Sequence, residues 1–61
     1  MEKADLIDYE GTHVKLLLKN SYFYTGILKK VNESTSIFID RNGKKITIEN
    51  SFVSFIESME K

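Results

Sequence analysis

The chain has 61 residues, with nine basic and nine acidic side chains, one histidine, no cysteine and no proline. These counts exclude disulfides and argue against a structural zinc site, so no metal or cofactor is expected. The balanced charge also departs from the basic composition that is usual for nucleic-acid-binding domains. A domain of this size buries only about 60% of the surface of its unfolded chain, which makes association with other copies a natural support.

The first segment, residues 2–10, carries acids early and is followed by Gly11, which predicts a short helix that packs Leu6 and Ile7 on the rest of the domain. From residue 11 to residue 56, apolar and polar side chains alternate with a period of two, which predicts strands. The predicted strands are 13–19, 22–31, 37–39, 45–49 and 52–56, and residues 58–61 form a tail.

A sheet this small has to curl on itself to bury one face and hide its edges. The predicted fold is all-β with a short N-terminal helix: one domain, 1–61, built on a small, strongly bent, five-stranded antiparallel barrel over residues 12–57. Asn42-Gly43 predicts a tight hairpin between the third and fourth strands. Gly26 lies in mid-strand, where glycine marks either a sharp bend, which lets one long strand serve both halves of the barrel, or a β-bulge.

Apolar side chains fall on both faces of the predicted strands. The predicted core set is Val14, Leu16, Leu18, Tyr24, Leu28, Val31, Ile37, Ile39, Ile46, Ile48, Val53 and Ile56. The predicted outward set is Leu17, Phe23, Ile27, Phe38 and Phe55. So many large apolar side chains on the outside of a small barrel predict a surface that something covers. The cover is either a second copy, which makes these residues the oligomer interface, or the N-terminal helix.

No motif in the sequence carries catalytic chemistry, and we expect no enzymatic activity. His13 has no Ser and Asp partners at triad spacing, and the chain has no glycine-rich phosphate loop. The longest apolar run is Leu16–Leu18, which predicts neither a signal peptide nor a membrane span and therefore a cytoplasmic protein.

The spacing of strands and turns over about residues 5–57 resembles the Sm-like family, which includes the LSm and Hfq proteins. The first family motif corresponds to VKLLLKN, Ser21 at a turn, Gly26 and the loop 32–36; the second corresponds to Ile48-Glu49-Asn50, with Val53 and Ile56 behind. The resemblance implies a bent barrel whose fourth strand pairs with the fifth strand of the next copy, which closes a homo-hexameric or heptameric ring.

The resemblance also implies an RNA-binding site at the pore of that ring. The implied pore residues in this sequence are Asn32, Ser34, Ser36, Glu49 and Asn50. In the family, an Asp and an Asn of the loop and an Arg and a Gly of the second motif hold a uracil-like base, on which an aromatic or His side chain stacks. Glu49 stands in place of that Arg, which exchanges five donors and a positive charge for an anion that only accepts hydrogen bonds.

Three hypotheses for function remain open. The first is a ring-forming, Sm-like, RNA-associated protein, which binds single-stranded RNA or scaffolds RNA processing and has an altered pore site. Its alternative RNA surface consists of aromatic and basic residues, namely Tyr22, Tyr24, Lys29, Lys30, Arg41, Lys44 and Lys45, although ordinary solvated strand faces explain the lysines as well. The second is a small β-barrel protein-interaction or structural module that does not bind RNA. The third is an unrelated barrel of the KOW-like or chromo-like kind.

Overall fold

A computed structural model describes residues 1–59 of the chain. In that range, helix α1 (Lys3–Leu6) continues into a 3₁₀ turn (Ile7–Tyr9), and a second 3₁₀ turn (Asn50–Phe52) joins the last two strands. The strands are β1 (His13–Leu18), β2 (Phe23–Val31), β3 (Thr35–Asp40), β4 (Lys45–Glu49) and β5 (Val53–Ser58). The all-β fold with a short N-terminal helix is therefore confirmed.

The five strands form one antiparallel sheet in the order β4-β3-β2-β1-β5. Strand β2 belongs to two ladders, because its residues 23–27 pair with β1 and its residues 26–31 pair with β3. Ser58, predicted to lie in the tail, instead extends β5 and pairs with Val14. Residues 60–61 of the predicted tail lie outside the described residues.

The sheet wraps around its own core. The described domain is nearly as thick as it is wide, because it measures 23 × 23 × 21 Å along its principal axes. All five strands contribute buried apolar side chains to a single cluster, and α1 adds one more: Leu6, Val14, Leu16, Leu18, Leu28, Val31, Phe38, Ile48, Val53 and Ile56. Ile7, which was predicted to pack beside Leu6, is exposed.

Phe38 was predicted to face outward, and this prediction is wrong: the side chain is completely buried and lies opposite Leu28 in the ladder. Ile37 and Ile39, predicted for the core, take the opposite face and are only half-buried. Three consecutive apolar residues carry no alternation, so the sequence alone does not fix which of them point inward. Ser36 and Phe38, two residues apart on β3, are both buried, and they define the face of the strand that lies on the core.

The other predicted outward residues do form an uncovered apolar surface. Phe23, Ile27 and Phe55 are 60%, 47% and 49% exposed. Leu17 is half-buried and lies between Phe23 and Phe55 in a row that crosses three strands. Because these exposed fractions are measured with α1 in place, the N-terminal helix is not the cover that the sequence left as an alternative.

Gly26 lies where the two ladders of β2 overlap and where the backbone of β3 comes very close. A Cβ atom at this position would collide with the carbonyl oxygen of Ile39 and lie 2.9 Å from the Cα atom of Asp40. The bulge in β2 lies further along, between Leu28 and Lys30. Gly26 therefore does not mark the bulge. It permits the close approach of two backbones at the point where β2 passes from one ladder to the other.

We expect Gly26→Ala to destabilise the fold by about 3 kcal/mol or more, because rigid backbone atoms occupy the space that the methyl group needs. Gly43→Ala is the matched control: Gly43 has a φ of +84°, and no atom lies within 4 Å of the place that a methyl group would take, so only its backbone conformation is strained. That strain costs about 1 kcal/mol. Urea unfolding at one fixed protomer concentration measures both. An equal decrease in the free energy of unfolding for the two variants would show that the close approach of β2 and β3 does not require glycine.

Candidate functional site

The loop 32–36 and the residues that end β4 lie side by side. The backbone N–H of Asn50 donates to the Ser34 carbonyl oxygen at 2.8 Å, and Thr35 pairs with Glu49 in the β3–β4 ladder. The backbone N–H of Asn32 closes the loop by donating to the Thr35 carbonyl oxygen at 2.8 Å. The antiparallel register of β3 and β4 thus brings together the two segments that the resemblance assigns to one RNA site.

Asn50 holds the two segments together through its side chain. Its Oδ1 atom accepts a hydrogen bond from Ser36 Oγ at 2.6 Å, and its Nδ2 atom donates to the carbonyl oxygens of Asn32 at 3.0 Å and Glu33 at 3.3 Å. Asn50 is 3% exposed and Ser36 is 2% exposed. Both amide protons and the hydroxyl proton are therefore used inside the protein. Ser36 and Asn50, which the resemblance implies as pore residues, fix the shape of the loop through these hydrogen bonds.

The remaining residues of the predicted pore site are more accessible. Ser34 and Glu49 are exposed, and Asn32 is half-buried. A cavity of about 530 Å³ lies between the α1 segment and this loop, and Glu33, Ser34, Asn50 and Ser51 line its loop side. Glu2 and Lys3 lie on the opposite side, and Lys3 forms a loose ion pair with Glu33 at 3.9 Å. The cavity lining holds two carboxylates, Glu2 and Glu33, and two cations, Lys3 and the Met1 ammonium group, so it carries no excess positive charge to attract a phosphate.

The predicted alternative surface is split by the fold. Arg41, Lys44 and Lys45 belong to the β3–β4 hairpin, whereas Lys29 and Lys30 lie at the bulge of β2. In the β2–β3 ladder, Lys30 lies opposite Ile37. Ile37 is three residues from Asp40, the last residue of β3, so the backbone at Lys30 is about 10 Å from the start of the hairpin loop. The basic residues therefore lie in two groups along the sheet, one on the hairpin and one at the bulge.

The two tyrosines of that predicted surface differ in how exposed their side chains are. Tyr22 is largely exposed in the β1–β2 turn. The Tyr24 ring is half-buried and lies 6.3 Å from the Phe38 ring, so one side of it packs against the core.

Phe23, which was predicted for the oligomer interface, is a further exposed aromatic residue. Lys15 Nζ lies 4.9 Å from its ring centroid. Phe23 also lines, with Tyr24, Asp40 and Arg41, a groove of about 250 Å³. Lys15 lies opposite Thr25 in the β1–β2 ladder, two residues after Phe23, so Lys15 and Phe23 form a diagonal cross-strand pair. Exposed aromatic rings beside cations are the chemistry that binds single-stranded nucleic acid.

No protein-family model matches this sequence, and no curated protein matches it significantly. Among residues 1–59, no helix combines the length and the apolar content needed to cross a bilayer. In the same range, no group of three or more His, Cys, Asp or Glu side chains could hold a metal ion. The assignment of function therefore depends on fold and geometry.

We expect Asn50→Ala to cost about 3 kcal/mol of stability, because it leaves the buried Ser36 hydroxyl and two carbonyl groups without their partner. Asn42→Ala, at an exposed position of the hairpin, is the matched control and should cost about 0.5 kcal/mol or less. Chemical denaturation measures both variants. If Asn50→Ala and Asn42→Ala had equal free energies of unfolding, the side-chain amide of Asn50 would not be what holds the loop 32–36 in place.

Proposed function

We propose that this is a cytoplasmic, ring-forming, Sm-like protein that associates with single-stranded RNA and has an altered pore site. The observation that carries the proposal is the β3–β4 register, which sets Thr35 opposite Glu49 and the loop 32–36 beside the end of β4. These are the two segments that supply the RNA site in the family that the sequence resembles.

The β1–β2 turn supports the same relationship. Ser21 has a φ of +72°, a left-handed conformation that favours glycine, and its amide donates to the Leu18 carbonyl oxygen at 3.0 Å. The resemblance places a glycine-containing turn at this point of the first motif. The backbone thus keeps a glycine-type turn even though the residue is serine.

Ring assembly is supported by what the fold leaves uncovered. Strands β4 and β5 are the two edges of the sheet, and within residues 1–59 neither outer edge pairs with another strand. Unpaired edges and an exposed apolar surface both favour association with further copies. Pairing β4 of one copy with β5 of the next would occupy both edges and, on closure, give the hexamer or heptamer implied by the resemblance.

Glu49 is the reason for proposing an altered pore. Its side chain is exposed, so a ring would place one carboxylate per copy where the family has an arginine. Those carboxylates repel phosphate and donate no hydrogen bond to a base. RNA contact would then depend more on exposed residues away from the pore, such as Tyr22 and Arg41.

The second candidate is a protein-interaction or structural module that does not bind RNA. The burial of Ser36 and Asn50 favours it, because the two most enclosed polar residues of the predicted site already bond each other. Measuring RNA binding directly separates the two candidates.

The test is fluorescence anisotropy of labelled oligouridine at low salt. We expect weak binding by the parent protein and a gain of about tenfold or more in Glu49→Arg, because a guanidinium adds donors and removes repulsion. Asp8→Arg makes the same change in charge at an exposed site on the first 3₁₀ turn and should gain much less. Tyr22→Ala should weaken binding by the parent protein.

Two results would contradict the proposal in different ways. Absence of binding by the parent and by Glu49→Arg would favour the interaction module. Tight binding by the parent that is lost in Asn32→Ala would show that the pore works unaltered.

A further inference from the structure

The asparagines of the chain differ in how far the fold restrains their side chains. Asn50 is buried, and both its Oδ1 and its Nδ2 atoms are hydrogen-bonded. Asn20 is exposed, but its Oδ1 atom accepts a hydrogen bond from the backbone N–H of Tyr22 at 3.1 Å. Asn42 is exposed in the β3–β4 hairpin, and within residues 1–59 its side-chain amide forms no hydrogen bond. The Asn42 side chain is therefore free to react.

The residue that follows Asn42 is also favourable for reaction. The other asparagines precede Ser or Glu, whereas Asn42 precedes Gly43. Glycine has no Cβ atom to hinder its own backbone nitrogen. In addition, no atom of the described residues lies within 4 Å of the place that a Cβ atom of Gly43 would take. Asn42 thus combines a free side-chain amide with an unhindered backbone nitrogen next to it.

The reaction that this pair of residues allows is intramolecular deamidation. The backbone nitrogen of Gly43 gives up its proton and attacks Cγ of Asn42, so an N–C bond forms and the bond from Cγ to Nδ2 breaks. The leaving NH₂ group takes up a proton and departs as ammonia, and a cyclic succinimide remains. Water then opens the ring by giving its OH group to a carbonyl carbon and its proton to nitrogen. Opening at Cγ yields aspartate, and opening at the main-chain carbonyl yields isoaspartate.

Asp40 restrains this reaction in the folded hairpin. Its carbonyl oxygen accepts the backbone N–H of Gly43 at 2.9 Å, and its Oδ1 atom accepts the backbone N–H groups of Asn42 and Lys44, each at 2.9 Å. The Gly43 nitrogen has to leave the carbonyl oxygen before it can lose its proton. Attack therefore requires local opening of the hairpin, which costs less free energy than unfolding of the whole domain.

We propose that Asn42 is a site of spontaneous deamidation and that the Asp40 side chain slows the reaction by holding the hairpin closed. The reaction requires neither RNA nor a second copy of the chain. Both products place a carboxylate close to Arg41 and Lys44, and isoaspartate also adds a carbon atom to the backbone. That extra atom acts against the hydrogen bond from the Asp40 N–H to the Lys44 carbonyl oxygen at 2.9 Å, which closes the hairpin. Modification to isoaspartate therefore weakens the pairing at the start of β4.

Incubation of the purified protein in mildly alkaline buffer, followed by cleavage after glutamate, tests the site. The fragment 34–49 contains Asn42 and no other asparagine, so chromatography and mass spectrometry follow its conversion to the two acids. We expect Asn42 to convert while Asn50, in the fragment 50–57, stays intact because its amide is buried. Gly43→Ala should slow the conversion by about tenfold or more, because a Cβ atom hinders the attacking nitrogen.

Two substitutions of Asp40 test the restraint. Asp40→Ala should speed the conversion of Asn42 by about fivefold or more, because the hairpin loses two hydrogen bonds. Asp40→Asn keeps an oxygen acceptor at the same place and should react within about twofold of the parent rate, with the two asparagines of its fragment told apart by fragment-ion masses. Circular dichroism confirms that both variants fold. In concentrated urea the parent and both variants should share one faster rate, because no hairpin restrains them.

The two parts of the proposal fail on different results. Conversion of Asn20 ahead of Asn42, or an intact Asn42 even in urea, would overturn the site. A folded Asp40→Ala variant that reacts no faster than the parent would overturn the restraint by Asp40.

Discussion

The close approach of β3 to Gly26 makes the curved sheet possible, and the remaining features follow from that curvature. Strand β2 pairs with β1 over its first half and with β3 over its second, and Gly26 belongs to both ladders. The absence of a side chain there lets the two neighbouring strands share one long strand. Five short strands thereby enclose a core that a flat sheet of this size could not bury.

The same curvature determines which groups remain available for function. Wrapping the sheet places β4 and β5 at its two ends and leaves their outer edges unpaired within residues 1–59. It also brings the loop 32–36 against the end of β4, where the Asn50 side chain fixes it. The proposed assembly and the proposed RNA site therefore derive from one geometric feature, and a protein-interaction module would use the same open edges.

The strands and the turns between them were predictable from the sequence, because the alternation of apolar and polar residues and the turn-forming residues are local signals. Phe38 was misassigned because it lies within three consecutive apolar residues, where alternation disappears and only packing against Leu28 decides the facing. The role of Asn50 could not be predicted, because a buried amide and an RNA-binding amide look alike until their partners are known. Glu49 was informative from the sequence alone, since its charge does not depend on packing.

The proposed ring assembly would occupy the two open edges of the sheet, and native mass spectrometry of the unaltered protein tests it without any substitution. We expect a species of six or seven copies of the 7.1 kDa chain at micromolar concentration. A spectrum containing only the 7.1 kDa monomer over the same concentration range would contradict ring assembly.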